Sequence, residues 1–600
     1  MNDADRAVST LSGWWQRFRV VIAVGVSTLA SVLLYGYNYG SDPNLAQLLP
    51  FIQKLQNPSL YHGDPYVQSL AAFPSLYPHI VAFVCGSAML PVFHAVAYAL
   101  TLVLFFWLAH RLAFVLFEDE SAAVAAVFLA ALSPLVTVLS ILGDDPIMKT
   151  AFYQTALAAP VSLGALCLFL RGNFTAALGL AGALYWLNGL PANYLAALLF
   201  AGTLVSADRK KTLVGWGLFA VFFGGWLWWK YSLPNPFAPA SPGYAQALRG
   251  WYAGHYFPLS WSAEKWGRAV EYILLLGVLV WRVLPQTGSR KQLSAFMGAI
   301  GAMWIAAFFC SEVFPSPVLI AAQLFRSDTL FIILGILCAA KYIADLLRSE
   351  NSADYFLAAL LVLALTELGG PYVAPFVAAA LLARLFWPRA LAPLAGVCAA
   401  MCLYYAFSFP AGMLKAGGAV LLFGGLSLSV IGKVRVRRSG AWAVLALAVL
   451  QFIPAMMERS RIGLEYLPQR ERDWHAVQFW AMAHTPERAV FFTPMQLQGF
   501  RVFSRRSSVC EWLDGAAMHW APGFEKNWLA RLRDVYLLTG GKGAGPQKMD
   551  ASRRALFFRA LSGKYGASYV VDEGQDELPF PLLYSAGGFR VYKIPNAHGL

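Results

Sequence analysis

The stretch RFRVVIAVGVSTLASVLLYGYNYGSDPNLAQLLP, from Arg17 to Pro50, contains two kinds of chain. From Phe18 to about Tyr37 it is continuously apolar, about 20 residues, the length that crosses a hydrocarbon core of roughly 30 Å. Arg17 and Arg19 flank it, and no small-x-small cleavage site precedes the polar loop. It therefore reads as an anchor with a cytoplasmic N-terminus, not as a removed signal. After Tyr37 the character changes to a loop rich in Pro, Asp and aromatics.

The apolar pattern recurs beyond that loop. Segments run at about 91–116, 121–142, 155–171, 174–206, 212–231, 269–285, 293–311, 327–347, 354–387, 391–408, 412–431 and 440–457. Hydrophobic residues make up 58% of the chain and charged residues 13%, against roughly 25% charge in a soluble domain. A cytosolic enzyme is excluded. Residues 1–457 hold 27 Lys+Arg and 18 Asp+Glu, whereas the much shorter 458–600 holds 19 and 14. The expected fold is thus a polytopic α-helical membrane protein of about 12–15 membrane segments, some re-entrant or short. Residues 1–457 form the membrane body and residues 458–600 a C-terminal extracytoplasmic α/β domain.

The net charge of +14 splits as +9 and +5 between these parts, with no dense basic run of the kind a nucleic-acid groove needs. No nucleic-acid partner is expected; the partner is the lipid bilayer. Seven cysteines lack paired zinc-site spacings, and only Cys510 falls in the tail. With the N-terminus inside, the inner loops receive Arg111, Arg171, Arg209-Lys210-Lys211, Arg290-Lys291, Lys341 with Arg348, Arg389 and Lys433-Arg435-Arg437-Arg438. The outer loops receive only scattered cations, so the positive-inside rule places the tail outside the cytoplasm.

Segments 174–206 and 354–387 are too long for one upright span and too short for two. Each has a central Gly/Pro break, NGLPANY at Asn188–Tyr194 and ELGGPY at Glu367–Tyr372. They read either as short re-entrant hairpins or as kinked helices whose freed backbone groups bond within the protein.

The first outer loop carries Asp42, Lys54, His62 and Asp64. Apolar residues at 45, 48, 49, 52 and 55 have the helical period, so a short amphipathic helix is expected along the membrane surface. Asp42 fits its N-cap with Pro43 at the first helical position, or else a catalytic carboxylate. Asp64 in HGDP also precedes a proline. The second outer loop, ILGDDPIMKTAFYQ, holds adjacent Asp144 and Asp145, which repel unless a cation, a proton or a basic group intervenes. Arg326, beside Gln323 in VFPSPVLIAAQLFRSDTL, is a candidate to hold a phosphate through its planar fork. The alternative is that it pairs with Asp328 or snorkels to the headgroups. His255, in RGWYAGHYFPLSW, reads as structural.

In the tail, helices are expected at 473–484, 525–538 and 552–563, with strands at AVFFT, SSVCEW, ASYVV and FRVYKI. GGKGAGPQ lacks the spacing and the Lys-Ser/Thr end of a phosphate loop and reads as a flexible connection.

A carboxylate loop directly after the first span, a second acidic loop two spans later, short re-entrant helices and an extracytoplasmic α/β tail together resemble the GT-C superfamily of polytopic membrane glycosyltransferases. The stretch YGSDPNLAQLLPFIQKLQNPSLYHGDPYV and the tail are similar to an uncharacterised bacterial branch of it. The resemblance implies a multi-pass protein of the bacterial inner membrane that takes a polyprenyl-phosphate-linked sugar donor and an extracytoplasmic acceptor. It implies Asp42 and, from the second loop, Asp144 or Asp145 as catalytic residues; beside it, the residues themselves offer Asp64, His62, Gln323 and Arg326 for the substrate. The resemblance fixes no cofactor, and a divalent cation would suit the acids, since the family's first-loop carboxylate acts as general base or metal ligand. The family's adjacent pair of acids in the first loop is replaced here by the separated Asp42 and Asp64. Two other readings fit the same sequence: a secondary transporter, for which paired interrupted segments are the pointer, and a non-catalytic scaffold of the same architecture.

Overall fold

The computed structural model describes residues 3–138, 140–234, 243–366, 373–408, 413–437, 467–539, 550–573 and 576–595, with the single positions 440, 446 and 457. The break at Glu367–Tyr372, most of the apolar segment 440–457, the expected boundary after residue 457 and the stretch GGKGAGPQ lie outside the described residues.

Among the described residues five helices are long and apolar enough to cross a membrane: Phe18–Tyr35, Ser87–Phe117, Arg209–Ser232, Arg290–Val313 and Pro317–Arg348. Pro65–Ala72 and Tyr77–Val84 would make a sixth only as a pair bent by 103°, and eight shorter apolar helices complete the body. Their burial separates centre from rim. The apolar window of Pro317–Arg348 is 83% buried, so this helix is the axis of the bundle, whereas Arg209–Ser232 at 17% presents most of its surface outward.

The sequence explains the short helices. The segment expected over 121–142 stops at Leu132 because Ser133-Pro134 follows, and after one more turn the chain runs irregularly to Tyr153. The segment 174–206 splits into Phe174–Leu184 and Gly189–Leu204, with Asn188 capping the second helix through its side chain. The segment 354–387 splits into Ser352–Leu365 and Ala374–Phe386. At 1.5 Å per residue, helices of this size reach roughly 17–24 Å and none spans a bilayer alone.

The tail packs helices Gln469–His484, Phe524–Thr539 and Ala551–Tyr565 against a five-stranded sheet. Its strands are β1 (Val490–Phe492), β2 (Ser507–Ser508), β3 (Tyr569–Asp572), β4 (Leu582–Ala586) and β5 (Phe589–Lys593), in the order β2-β1-β3-β5-β4. β1 is parallel to β2 and β3, and the β3–β5–β4 half is antiparallel.

The first loop and the tail share one core. Helix Pro43–Gln56 begins at Asp42 as expected, with Pro43 in its first turn. Its apolar face, Leu45, Leu48, Leu49 and Ile52, is buried with Val502, Ala517 and Trp520 of the tail. The expectation that this face lies along the membrane surface is therefore corrected: the tail covers it in place of lipid, and only Leu55 of the apolar set stays exposed.

Candidate functional site between the second loop and the central helix

The site begins with a buried loop. Most of Ser140–Tyr153 has no regular structure yet is enclosed, so its backbone groups need explicit partners. The Asp328 carboxylate supplies several: its Oδ2 accepts from Leu142 N–H at 2.7 Å, Gly143 N–H at 3.0 Å and the Ser140 hydroxyl at 2.8 Å. Met148 N–H donates to Val136 at 2.7 Å, and Asn38 N–H reaches the Thr150 carbonyl at 2.8 Å, tying the first loop to the second. Asp328 is thus engaged by the loop, which corrects the pairing of Arg326 with Asp328. A Cβ on Gly143 would sit 2.7 Å from Arg326 Cα and Cγ, so glycine is what lets the loop reach the central helix.

Adjacent Asp144 and Asp145 coexist because each has its own cations. Asp144, at a left-handed φ of 50°, is exposed and meets Lys265 Nζ and, at 3.3 Å, His255 Nδ1. Asp145 turns inward, bonded to Lys149 Nζ and facing Arg326 Nη1 at 3.5 Å. Burial pushes both carboxyls upward, but Lys265 and His255 at Asp144, and Lys149 and Arg326 at Asp145, outweigh it and hold both below the usual carboxylate range. Asp42 is brought to the same region: its Oδ1 accepts from Asn44 N–H and Leu45 N–H, and its Oδ2 from the Thr150 hydroxyl at 3.2 Å. Burial raises the Asp42 carboxyl above its ordinary value, opposed by those hydrogen bonds and by the charge of Lys149. Tyr153 feels both Asp42 and Asp145, and burial raises its phenol far above the usual value.

Asp145 and Arg326 line a cavity of about 60 Å³, room for about four waters or one phosphate-sized group. Its polar lining adds Thr155, Ser162, Asn188, Tyr194 and Thr329. The remaining wall is apolar, from Ala158 and Ala159, Leu190 and Pro191, and Leu330 and Ile333, each pair on a different membrane helix. The break in 174–206 builds part of this wall. Asn188 at the break donates to Thr155 at 2.7 Å, and Tyr194 one turn later bridges the carbonyls of Ala322 and Gln323 at 3.0 and 2.8 Å. An interrupted helix whose freed groups bond within the protein and line a cavity is how irregular backbone is tolerated at membrane depth.

The remaining candidates lie elsewhere. Asp64 caps helix Pro65–Ser69 and its other oxygen meets Arg501 Nε at 2.7 Å, where both side chains are sealed from solvent. His62 is exposed on the turn before it. Gln323 takes a left-handed φ of 50° and donates to the Tyr256 hydroxyl at 3.2 Å. His255, read from the sequence as structural, stands against Asp144, and Lys149, Lys265, Tyr194 and His519 are not singled out there for the site. The requirement of a cation beside two adjacent acids is the signal that points to the first three. Among the described residues no three His, Cys, Asp or Glu side chains converge as metal ligands, and the acids meet lysine, arginine and histidine. This donor set does not fit a divalent cation, and no step is derived through one.

Residues 472–535 match the model of a domain of unknown function, DUF6798. That match lies within the tail and takes in Arg501 and His519. No curated protein matches the chain in sequence. Among solved structures, the crystal structure of ArnT from Cupriavidus metallidurans bound to undecaprenyl phosphate aligns at 15% identity over 98% of this chain and 99% of that one, with a TM-score of 0.39.

Proposed function

We propose that the chain transfers a sugar from a polyprenyl-phosphate-linked donor to an acceptor outside the cytoplasm, and that the cavity at Asp145 and Arg326 receives the donor's phosphate. The supporting observation is the cavity's mixed lining: a guanidinium and polar side chains together with apolar side chains of three membrane helices. An amphipathic lipid phosphate needs both. Arg326 offers a planar fork, and Lys149 a second charge one residue from the Thr150–Asp42 contact. An arriving phosphate competes with Asp145 for these cations, and as the glycosyl bond breaks they neutralise the charge that develops on it.

The acceptor's proton needs a base on the open side of the site. Asp144 is the exposed acid, and with His255 at 3.3 Å it forms a carboxylate–imidazole pair suited to that task. Asp42 holds the two loops together in this reading, as cap and as acceptor from Thr150. The decisive experiment reconstitutes the full chain in lipid nanodiscs and follows consumption of a polyprenyl-phosphate-linked sugar. Asp144→Asn and Arg326→Lys are expected to insert normally and to lose transfer. Full transfer by both would remove the site proposed here, and no transfer by the wild type would leave the non-catalytic scaffold as the better account.

A further inference from the structure

The tail reaches the site through a chain of hydrogen bonds that no catalytic step has yet used. His519 lies at the end of the turn Trp512–His519, between two tyrosines of the 243–268 loop. Its Nδ1 is 2.8 Å from the Tyr244 hydroxyl and its Nε2 is 2.9 Å from the Tyr256 hydroxyl. Tyr256 in turn accepts from the Gln323 carboxamide at 3.2 Å. The directions are mutually consistent. Gln323 donates to Tyr256; with the Nδ1–H tautomer Tyr256 donates to Nε2 and Nδ1–H to Tyr244, and with the other tautomer both roles reverse, the ring being neutral in either. Desolvation, with the nearby charges of Arg326 and His255, pushes the His519 pKa down to about 3 and keeps the ring neutral.

Gln323 sits where such a restraint matters. It is a non-glycine residue at a left-handed φ of 50°, a conformation that persists only when its surroundings impose it. Its carbonyl accepts from the Arg326 N–H at 2.9 Å, so its backbone sets the turn on which the guanidinium is mounted. Tyr194 holds that turn by its carbonyls, and the tail holds it by the Gln323 side chain.

We propose that His519 is a positioning residue for Arg326, and that through Tyr256 and Gln323 it makes the phosphate clamp of the membrane body depend on docking of the tail. This rests on the reading of Arg326 as the phosphate holder. His519→Phe keeps the ring volume and removes both hydrogen bonds, while His519→Gln returns a polar group near the Nε2 position. Two measurements on the full chain in nanodiscs separate the ideas. Phenylglyoxal modification of Arg326, read by mass spectrometry, needs no substrate; binding of a C55 polyprenyl phosphate, read by tryptophan fluorescence, tests the clamp.

The expected result is that His519→Phe accelerates modification of Arg326 several-fold and weakens polyprenyl-phosphate binding about tenfold, the scale of one buried hydrogen bond. His519→Gln should restore most of both. If His519→Phe melts like wild type and leaves Arg326 reactivity and binding unchanged, the positioning role is overturned. If the wild type binds no polyprenyl phosphate but His519→Phe still exposes Arg326, the positioning stands and the phosphate reading falls. Should His519→Phe fail to fold, Tyr256→Phe interrupts the same chain one link later, and the same outcomes decide.

Discussion

Two arginines meet carboxylates in this protein, and the two clusters have opposite character. Arg501, in the tail, faces Asp64 at 2.7 Å, Asp514 at 2.8 Å and Glu511 at 3.2 Å, and all four side chains are sealed. Arg326, on the central helix, faces one acid at 3.5 Å, and its own side chain remains about a quarter exposed at a cavity. The first guanidinium is saturated: it also donates to the Ser508 carbonyl at 3.3 Å, and Asp64 accepts from Ser508 N–H. The second has donors to spare. A saturated, dry cluster fixes one part of a fold to another, whereas an unsaturated one lining a cavity has capacity for a ligand. The contrast assigns Arg501 to architecture and is the ground on which Arg326 is proposed for chemistry.

The largest effect that breaks this comparison is on Arg501. Arg501→Met leaves three buried carboxylates without a counter-charge, and removing one partner of a buried ionic cluster costs about 3–5 kcal/mol. The tail should become protease-sensitive and the melting temperature should fall, while the membrane helices stay folded. A variant as stable as wild type would mean that the apolar interface, Leu49 and Ile52 against Val502 and Trp520, holds the tail by itself. Next in size is Arg326→Lys, which keeps the charge and loses the fork. Transfer should fall by about two orders of magnitude, the cost of losing one preorganised group aimed at developing charge. Its melting temperature should barely change, and that opposite pattern of stability and activity is what separates the two arginines.

Protonation sharpens the contrast. Burial raises Glu511 to about 7, because Arg501 cannot fully compensate three acids, and Asp514 is raised with it. A group whose folded pKa lies above its unfolded value stabilises the fold fully at pH below the unfolded value, and that contribution is lost as pH rises through the folded one. Docking of the tail should therefore weaken as pH rises through about 7. Glu511→Gln should flatten that dependence in melting curves taken between about pH 4.5 and 7. At the other cluster the sign is reversed. Asp145 is held below its usual value, so its contribution persists at neutral pH and disappears only on acidification.

The clusters also show what a sequence makes legible. The membrane helices could be placed from composition and Pro/Gly breaks because each is a local pattern. The cap at Asp42 was legible because Asp-Pro followed by apolar residues at the helical period is complete within a few positions. The partners were not legible: Arg501 meets Asp64 across 437 residues and Arg326 meets Asp145 across 181. A charge in sequence does not say which of many acids will share its cavity. The tail shows the same limit on a smaller scale. Strand β4 escaped because it is an edge strand with no buried residue, so its sequence carries no alternation of apolar and polar positions. SSVCEW reads as a strand but pairs only at Ser507–Ser508, since the chain turns into the helical turn at Trp512.

The smallest expected effect is at Asp42, and it tests the division of labour among the three acids. Asn caps a helix about as well as Asp, so Asp42→Asn keeps the acceptor for Asn44 and Leu45 N–H and should change stability by less than about 0.5 kcal/mol. Burial also makes the charged form costly at this position, which offsets any loss of attraction to Lys149. If Asp42 is cap and loop tether, the variant should retain transfer within a few-fold of wild type, and Asp144→Asn should lose far more. If Asp42→Asn melts normally yet transfers no sugar, the carboxylate itself is needed. The base would then move from the exposed Asp144–His255 pair to the buried acid beside Thr150, and the contrast between a saturated and an unsaturated cluster would no longer suffice to locate the chemistry.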